Sequence, residues 1–189
     1  MTDSRPITRA ETKARLRADR ERLLQLLREV HGDGDARIGL HPSYICVWLH
    51  RWSHHHHRNG RRWLARLLWH LNTILTGADI AEISDLGPGL LIPSPAGVAI
   101  MAKAGRNLTV MPCAGLGGEM PSREDIGAGP GLPLVGDDAT LGAHAGILGP
   151  VRIGDRVSID PLACPSRDTP SDHRVLSPRF RMLKRGEAP

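Results

Sequence analysis

Aromatic side chains are nearly absent from this chain: one Tyr, one Phe and four Trp among 189 residues. Proteins that hold single-stranded nucleic acid stack its bases on such rings. No reading-helix motif compensates, so nucleic-acid binding is not expected. Cysteine is scarce too. Cys46, Cys113 and Cys164 are odd in number and far apart, which excludes a disulfide framework and fits a reducing cytoplasm. No apolar run approaches about 18 residues, and the N-terminus is charged from the start. Neither a membrane span nor a signal peptide is expected.

Positive charge is abundant but uneven. Residues 1–76 carry 14 Lys+Arg against 7 Asp+Glu, whereas the remainder carries 11 against 13. In the front part Arg alternates with Leu and Glu at helical spacing, which reads as solvated helix faces. Residues 1–8 read as disordered. A helix is predicted over 9–31, with Leu16, Leu23, Leu24, Leu26, Leu27 and Val30 as its apolar stripe, ended by Gly32-Asp33-Gly34-Asp35. A second follows over 44–57, with Ser43 as its cap. A third, over 61–75, presents Trp63, Leu64, Leu67, Leu68, Leu71 and Ile74, and Gly77 closes it.

From residue 80 the period changes. Aliphatic or small apolar residues recur every six positions: Ile80, Leu86, Ile92, Val98, Ala104, Val110 and Leu116, then Val135, Leu141, Ile147, Ile153 and Ile159. The next residue is often Gly (Gly87, Gly105, Gly117, Gly136, Gly142, Gly154), and the residue four on is small or β-branched, as at Ser84, Ala96, Ala102 and Ala114. Six fits neither the 3.6 of a helix nor the 2 of a strand. It fits a coil of triangular section that turns a corner every hexad, with aliphatics stacked inside and Gly tolerating positive φ at the turns. Twelve hexads at roughly three per coil make about four coils. The fold class is therefore α+β. Residues 1–76 form an α-helical domain, 77–163 a parallel β-helix interrupted by a loop at 117–134, and 164–189 an irregular tail rich in Pro, Arg and Ser.

Eight of the ten histidines lie in the helical part, four of them consecutive from His54 to His57. Cys46, His50, His54 and His57 share a helix face but spread over roughly 16 Å of it, so no metal site is expected. A Cys packed in the helix core and a polar, partly exposed helix end are the plainer assignment.

Particular stretches resemble the bacterial serine O-acetyltransferases. They are His41-Pro42 with Val47-Trp48-Leu49-His50-Arg51, and Leu71-Asn72 leading to Leu75-Thr76-Gly77-Ala78-Asp79-Ile80. Gly87-Pro88-Gly89-Leu90-Leu91-Ile92-Pro93, Pro95-Ala96-Gly97-Val98, Leu116-Gly117-Gly118 and Ile147-Leu148-Gly149-Pro150-Val151-Arg152-Ile153-Gly154 continue the match over roughly residues 14–163. The resemblance implies a left-handed β-helix, assembly as a homotrimer or a dimer of trimers, and acyl transfer from acetyl-CoA to the hydroxyl of serine. For this chain the expectation, if active, is acetyl-CoA or another acyl-CoA and a small hydroxy or amino acid acceptor. In that family a His takes the proton of the attacking hydroxyl and an Asp fifteen residues earlier orients it.

Asp79 stands at the Asp position, and Ser94 stands where the His is expected; Pro93 replaces a carboxylate that holds the substrate's amino group. The family's later Arg-His-Pro is here Gly131-Leu132-Pro133, although Arg123, Glu124 and Asp125 in the same loop offer substitutes. Gly117, Gly118 and Ala143 occupy positions resembling the family's CoA contacts. His144 is a candidate relocated base or an exposed coil residue; Cys113 is a candidate nucleophile or a small buried side chain; His173 is a candidate to fold over a cleft. Arg174, Arg179, Arg181, Lys184 and Arg185 form a solvated tail with charge suited to CoA phosphates. The chain ends Gly186-Glu187-Ala188-Pro189, not in the isoleucine by which family members dock into cysteine synthase, and that docking is not expected. Two functions stay open: an acyltransferase with weak or no serine acetylation, and a catalytically inactive trimeric scaffold or partner subunit of another enzyme.

Overall fold

The computed structural model describes residues 5–32, 38–119 and 122–177. Asp33, Gly34 and Asp35, expected to end the first helix, and Arg179, Arg181, Lys184 and Arg185 lie outside these described residues.

Three helices open the chain: α1 (Arg9–His31), α2 (Pro42–Arg58) and α3 (Arg62–Thr76), with a short 3-10 turn, Ile38–Leu40, before α2. Residues 5–8, expected to be disordered, are tied down. Thr8 caps α1 in a reciprocal capping box with Glu11, and the Asn59 side-chain amide donates to the Ile7 carbonyl at 2.9 Å. The cap of α2 is His41, whose Nδ1 accepts from the Ser43 amide, with Pro42 at the first helical position. Ser43, the expected cap, instead donates its hydroxyl to the Pro93 carbonyl at 2.8 Å. Gly77 ends α3 in the left-handed conformation, with φ +74°.

The rest is a prism of three parallel sheets. One face stacks β1 (Asp79–Ile80), β3 (Ala99–Ile100), β6 (Gly115–Gly117) and β9 (Gly146–Leu148). The second stacks β2 (Asp85–Leu86), β4 (Lys103–Ala104), β7 (Leu134–Val135) and β10 (Arg152–Ile153). The third stacks β5 (Thr109–Val110), β8 (Thr140–Leu141), β11 (Ser158–Ile159) and β12 (Arg174–Val175). This is an α-helical front end followed by a left-handed parallel β-helix. Strand pairing continues past residue 163, because β12 pairs with β11 and Thr169 bridges Ile153.

All twelve hexad residues are buried, from Ile80 at 0% exposure to Ala104 at 7%. Eleven of them follow one interior scheme; Val98 does not. The interior partners on the first face are Ile80, Ile100 and Leu116, twenty and then sixteen residues apart, where a regular coil takes eighteen. Val98 fills the small-residue corner instead: its carbonyl accepts from Asp79, just as that of Ala114 accepts from Ala99. Ala96, expected at that corner, is exposed. Two extra residues thus enter the turn at 93–97 and two are withdrawn from the next, at Met101.

The glycines that follow hexad positions do not serve positive φ. None of Gly87, Gly105, Gly117, Gly136, Gly142 or Gly154 adopts it. Most are there because the next coil lies too close for a side chain: a Cβ on Gly105 would sit 2.1 Å from Asp137 Oδ1 and 2.9 Å from the Gly136 carbonyl carbon. The left-handed turn positions are filled by Asn107, Asp138, Arg156 and Asp172 at one corner and by Cys113, His144 and Leu162 at another.

A buried ion pair joins the two parts. Arg51 of α2 grips Asp19 of α1 with two hydrogen bonds, 2.8 and 2.9 Å, both side chains 2% exposed. Arg51 also donates to the carbonyls of Leu86 and Gly87, and Asp19 accepts from the amides of Gly89 and Leu90. Every partner of the pair lies in a helix or the first coil, so the helices are fixed to the prism by hydrogen bonds that leave no charge uncompensated. Arg15 and Arg22 add bonds to Asp85, Leu86, Gly89 and Thr109. Three of the front end's arginines, Arg15, Arg22 and Arg51, therefore serve packing and not solvated faces.

Candidate active site

Asp79 points outward from β1, and the residues stacked in register above it are Ala99, Gly115 and Gly146. With so little side chain above it, the carboxylate borders an open trough. Helix α3 forms the opposite wall. The result is a groove of about 420 Å³ lined by Arg66, Trp69, Asp79 and Glu82, with Gly117 and Gly118 at its far end. Its apolar lining comes from Ile83, Met101 and Leu116 among others.

Polar contacts set the rim. The Trp69 indole N–H donates to Asp79 Oδ1 at 2.7 Å. Arg66 sits over the Trp69 ring, 5.2 Å from its centroid. Its Nε donates to Glu82 Oε1 at 3.0 Å, and its Nη2 lies 3.0 Å from the same oxygen in an ion pair. Glu82 itself is buried, at 6% exposure.

Of the six residues singled out from the sequence, Asp79, Gly117 and Gly118 line this groove and Ser94, Ala143 and His144 do not. Ser94 is half-buried in the lengthened turn between the third and first faces. Ala143 and His144 lie in the equivalent turn two coils on, where the His144 amide donates to the Pro112 carbonyl and φ is +57°. His144 is exposed. Cys113 occupies the matching position one coil below at φ +58°; it is exposed, not the small buried side chain expected. His173 is exposed and held by Ser171. In the loop, Asp125 accepts from the amides of Gly127 and Gly129, which keeps its carboxyl below the usual range.

Arg66, Trp69 and Glu82 escaped the sequence reading. Their signal was present: Arg66 and Trp69 share a helix face at i, i+3, and Glu82 lies two residues after the interior Ile80 at a corner of the coil.

The histidine run is more buried than a helix end need be. His54 is 3% exposed, with Nδ1 3.0 Å from the Glu82 carbonyl and Nε2 3.6 Å from Asp85 Oδ1; His55 lies 3.0 Å from the Thr12 hydroxyl. Burial pushes His54 down to about 4 and His50 well below its ordinary value. Burial also pushes the Cys46 thiol up to about 12, which makes it inert. Among the described residues, no group of three or more His, Cys, Asp or Glu is placed to hold a metal ion.

No family model matches the chain. It is 31% identical over 160 residues to the serine acetyltransferase of Synechococcus elongatus, covering 81% of this chain and 64% of the relative. To the serine acetyltransferase of Mycobacterium tuberculosis it is 35% identical over 120 residues, 62% of this chain and 50% of the relative. The solved Neisseria gonorrhoeae serine acetyltransferase in complex with serine superposes with a TM-score of 0.77 at 25% identity, over 88% of this chain and 67% of that one. The chain belongs to the serine acetyltransferase family. It spans between 50% and 64% of the length of these two curated relatives. Soybean serine acetyltransferase, at 27% identity and a TM-score of 0.71, shares the architecture over 88% of this chain and 64% of its own. Among the described residues no helix is long and apolar enough to cross a membrane.

Proposed function

We propose that this chain is an acyl-CoA-dependent acyltransferase that has left serine acetylation largely behind, taking acetyl-CoA or another acyl-CoA and a small hydroxy or amino acid acceptor. The supporting observation is the groove itself: it keeps Asp79 with Gly117 and Gly118, yet none of its lining residues is a histidine. A serine hydroxyl needs a base to take its proton as it attacks the thioester, and loss of one such group costs about 10²–10⁴ in rate. Ser94 has no useful basicity near neutral pH. The other half of the family's machinery is closed off as well. Gly131 has φ +71°, and a Cβ there would lie 2.8 Å from the Glu119 carbonyl, so an arginine does not fit this loop conformation. Leu132 is buried where the second imidazole is expected.

The working unit in this reading is a homotrimer, single or paired, in the cytoplasm, a setting favoured by three unpaired cysteines. The experiment is release of free CoA thiol from acetyl-CoA over a panel of hydroxy and amino acceptors, beside CoA binding by calorimetry. Turnover with an acceptor other than serine, reduced by Asp79→Asn, is the expected result. The loss of groups at Ser94, Gly131 and Leu132 also supports a second reading, a non-catalytic trimeric scaffold or partner subunit. Neither turnover nor CoA binding would establish it in place of the first.

A further inference from the structure

We propose that the seam between α2 and the first coil is an acid-opened latch: it stays shut only while His50 and His54 are neutral, and its opening loosens the α3 wall of the groove while the later coils stay folded. The latch stands on packing alone and does not depend on the acyltransferase reading above.

Unpartnered ring nitrogens mark the seam. His50 is 1% exposed, and neither its Nδ1 nor its Nε2 has a hydrogen-bond partner among the described residues. Protonation would give that ring two N–H donors, both buried with nothing to accept them. The charged groups about it are Arg51 and His54 of α2 and Arg15 of α1, so no carboxylate answers a charge there. Cys46, one turn earlier, stays a neutral thiol, and α3 carries no Asp or Glu at all.

His54 follows one turn on, its ring centroid 6.1 Å from that of His50. Its Nδ1 lies 3.0 Å from the Glu82 carbonyl, which can only accept, so Nδ1 carries the proton and Nε2 is left as an acceptor. That Nε2 is buried with no donor, 3.6 Å from Asp85 Oδ1. Asp85 is no free countercharge: Arg15 donates to it at 2.8 Å and Arg58 lies 3.5 Å away. Two imidazolium rings at i, i+4 on one buried helix would also repel each other. An open seam lets water reach both rings, so the open form takes up protons and acid favours it.

Glu82 connects the seam to the groove. Its carbonyl is held by His54, and its carboxylate is held by Arg66 of α3. The Ser53 hydroxyl donates to the Ala65 carbonyl at 2.7 Å, which ties α3 to α2. A helix pair that lifts from the 82–85 corner therefore takes the groove wall with it. The later coils are bonded to one another through all three sheets and do not rely on this contact.

The test reads the two parts separately. All four tryptophans, Trp48, Trp52, Trp63 and Trp69, lie in α2 or α3, so tryptophan emission reports the helices alone. Methyl NMR signals of Leu141, Ile147 and Ile159 report the prism interior. On titration of the full chain from about pH 7.5 to about pH 4, emission should change at a higher pH than the methyl signals, which persist once the emission change is complete. His50→Leu and His54→Gln should each move the emission change down by at least about half a pH unit. If one variant fails to fold, the other carries the comparison. Coincident transitions, an emission change that neither variant moves, or no emission change above about pH 4 overturns the latch.

Discussion

At Gly105 the absent Cβ matters more than backbone freedom, because φ there is ordinary and the next coil fills the space a methyl would need. Gly105→Ala should cost about 1–3 kcal/mol in chemical denaturation, the usual penalty for overpacking. His144→Gly, at φ +57°, should change stability by no more than about 1 kcal/mol, since relief of left-handed strain offsets added chain entropy. Equal effects of the two substitutions would contradict this division of roles. His54 carries a pH prediction. Its folded value of about 4 lies below the ordinary 6.5, so the unfolded chain binds its proton first as pH falls. Its stabilisation is complete above about pH 6.5 and drains away toward pH 4, amounting to about 2 kcal/mol lost by pH 5. His50 acts in the same direction. Urea unfolding at about pH 7.5 and about pH 5 should show the loss, and His54→Gln should flatten it.

Between elements, the decisive contact is Asp19 with Arg51. Asp19→Ala leaves a guanidinium 2% exposed with no countercharge and strips the Gly89 and Leu90 amides of their acceptor. The expected cost is about 3–5 kcal/mol, read as a drop in unfolding midpoint with slope unchanged. A loss below about 1 kcal/mol would mean that the helices are held to the prism by something else. The lengthened turn at 93–97 is the other element-scale device. It adds two residues on one side of β3 and returns them on the other, so the six-residue beat survives on either side while Ala96 and Ser94 are displaced from regular positions.

Over the whole molecule, each coil is bonded only to its neighbours, so stability should grade along the axis. Amide exchange should be slowest in β6 and β8, which have partners on both sides, and fastest in β12, which is bonded only to β11. Uniform protection across the prism would show instead a single cooperative block.

The sequence by itself determined the prism. An interior repeat of six is incompatible with helix or ordinary strand, and residues such as Leu141, Ile147 and Ile159 announced the core because each is bulky, apolar and in phase. Asp79 and the Gly117-Gly118 pair were singled out through the family resemblance, and the structure sets all three along one groove. What only the tertiary structure decided depends on neighbours far along the chain. Val98 looks like any other beat until the register shows it two residues early. Arg51 looks like surface charge until Asp19 closes on it, 32 residues away. Glu82 joins Arg66 and Asp79 only because α3 lies along the first face of the coil, and a carboxylate's partners are set by that packing and not by its place in a repeat.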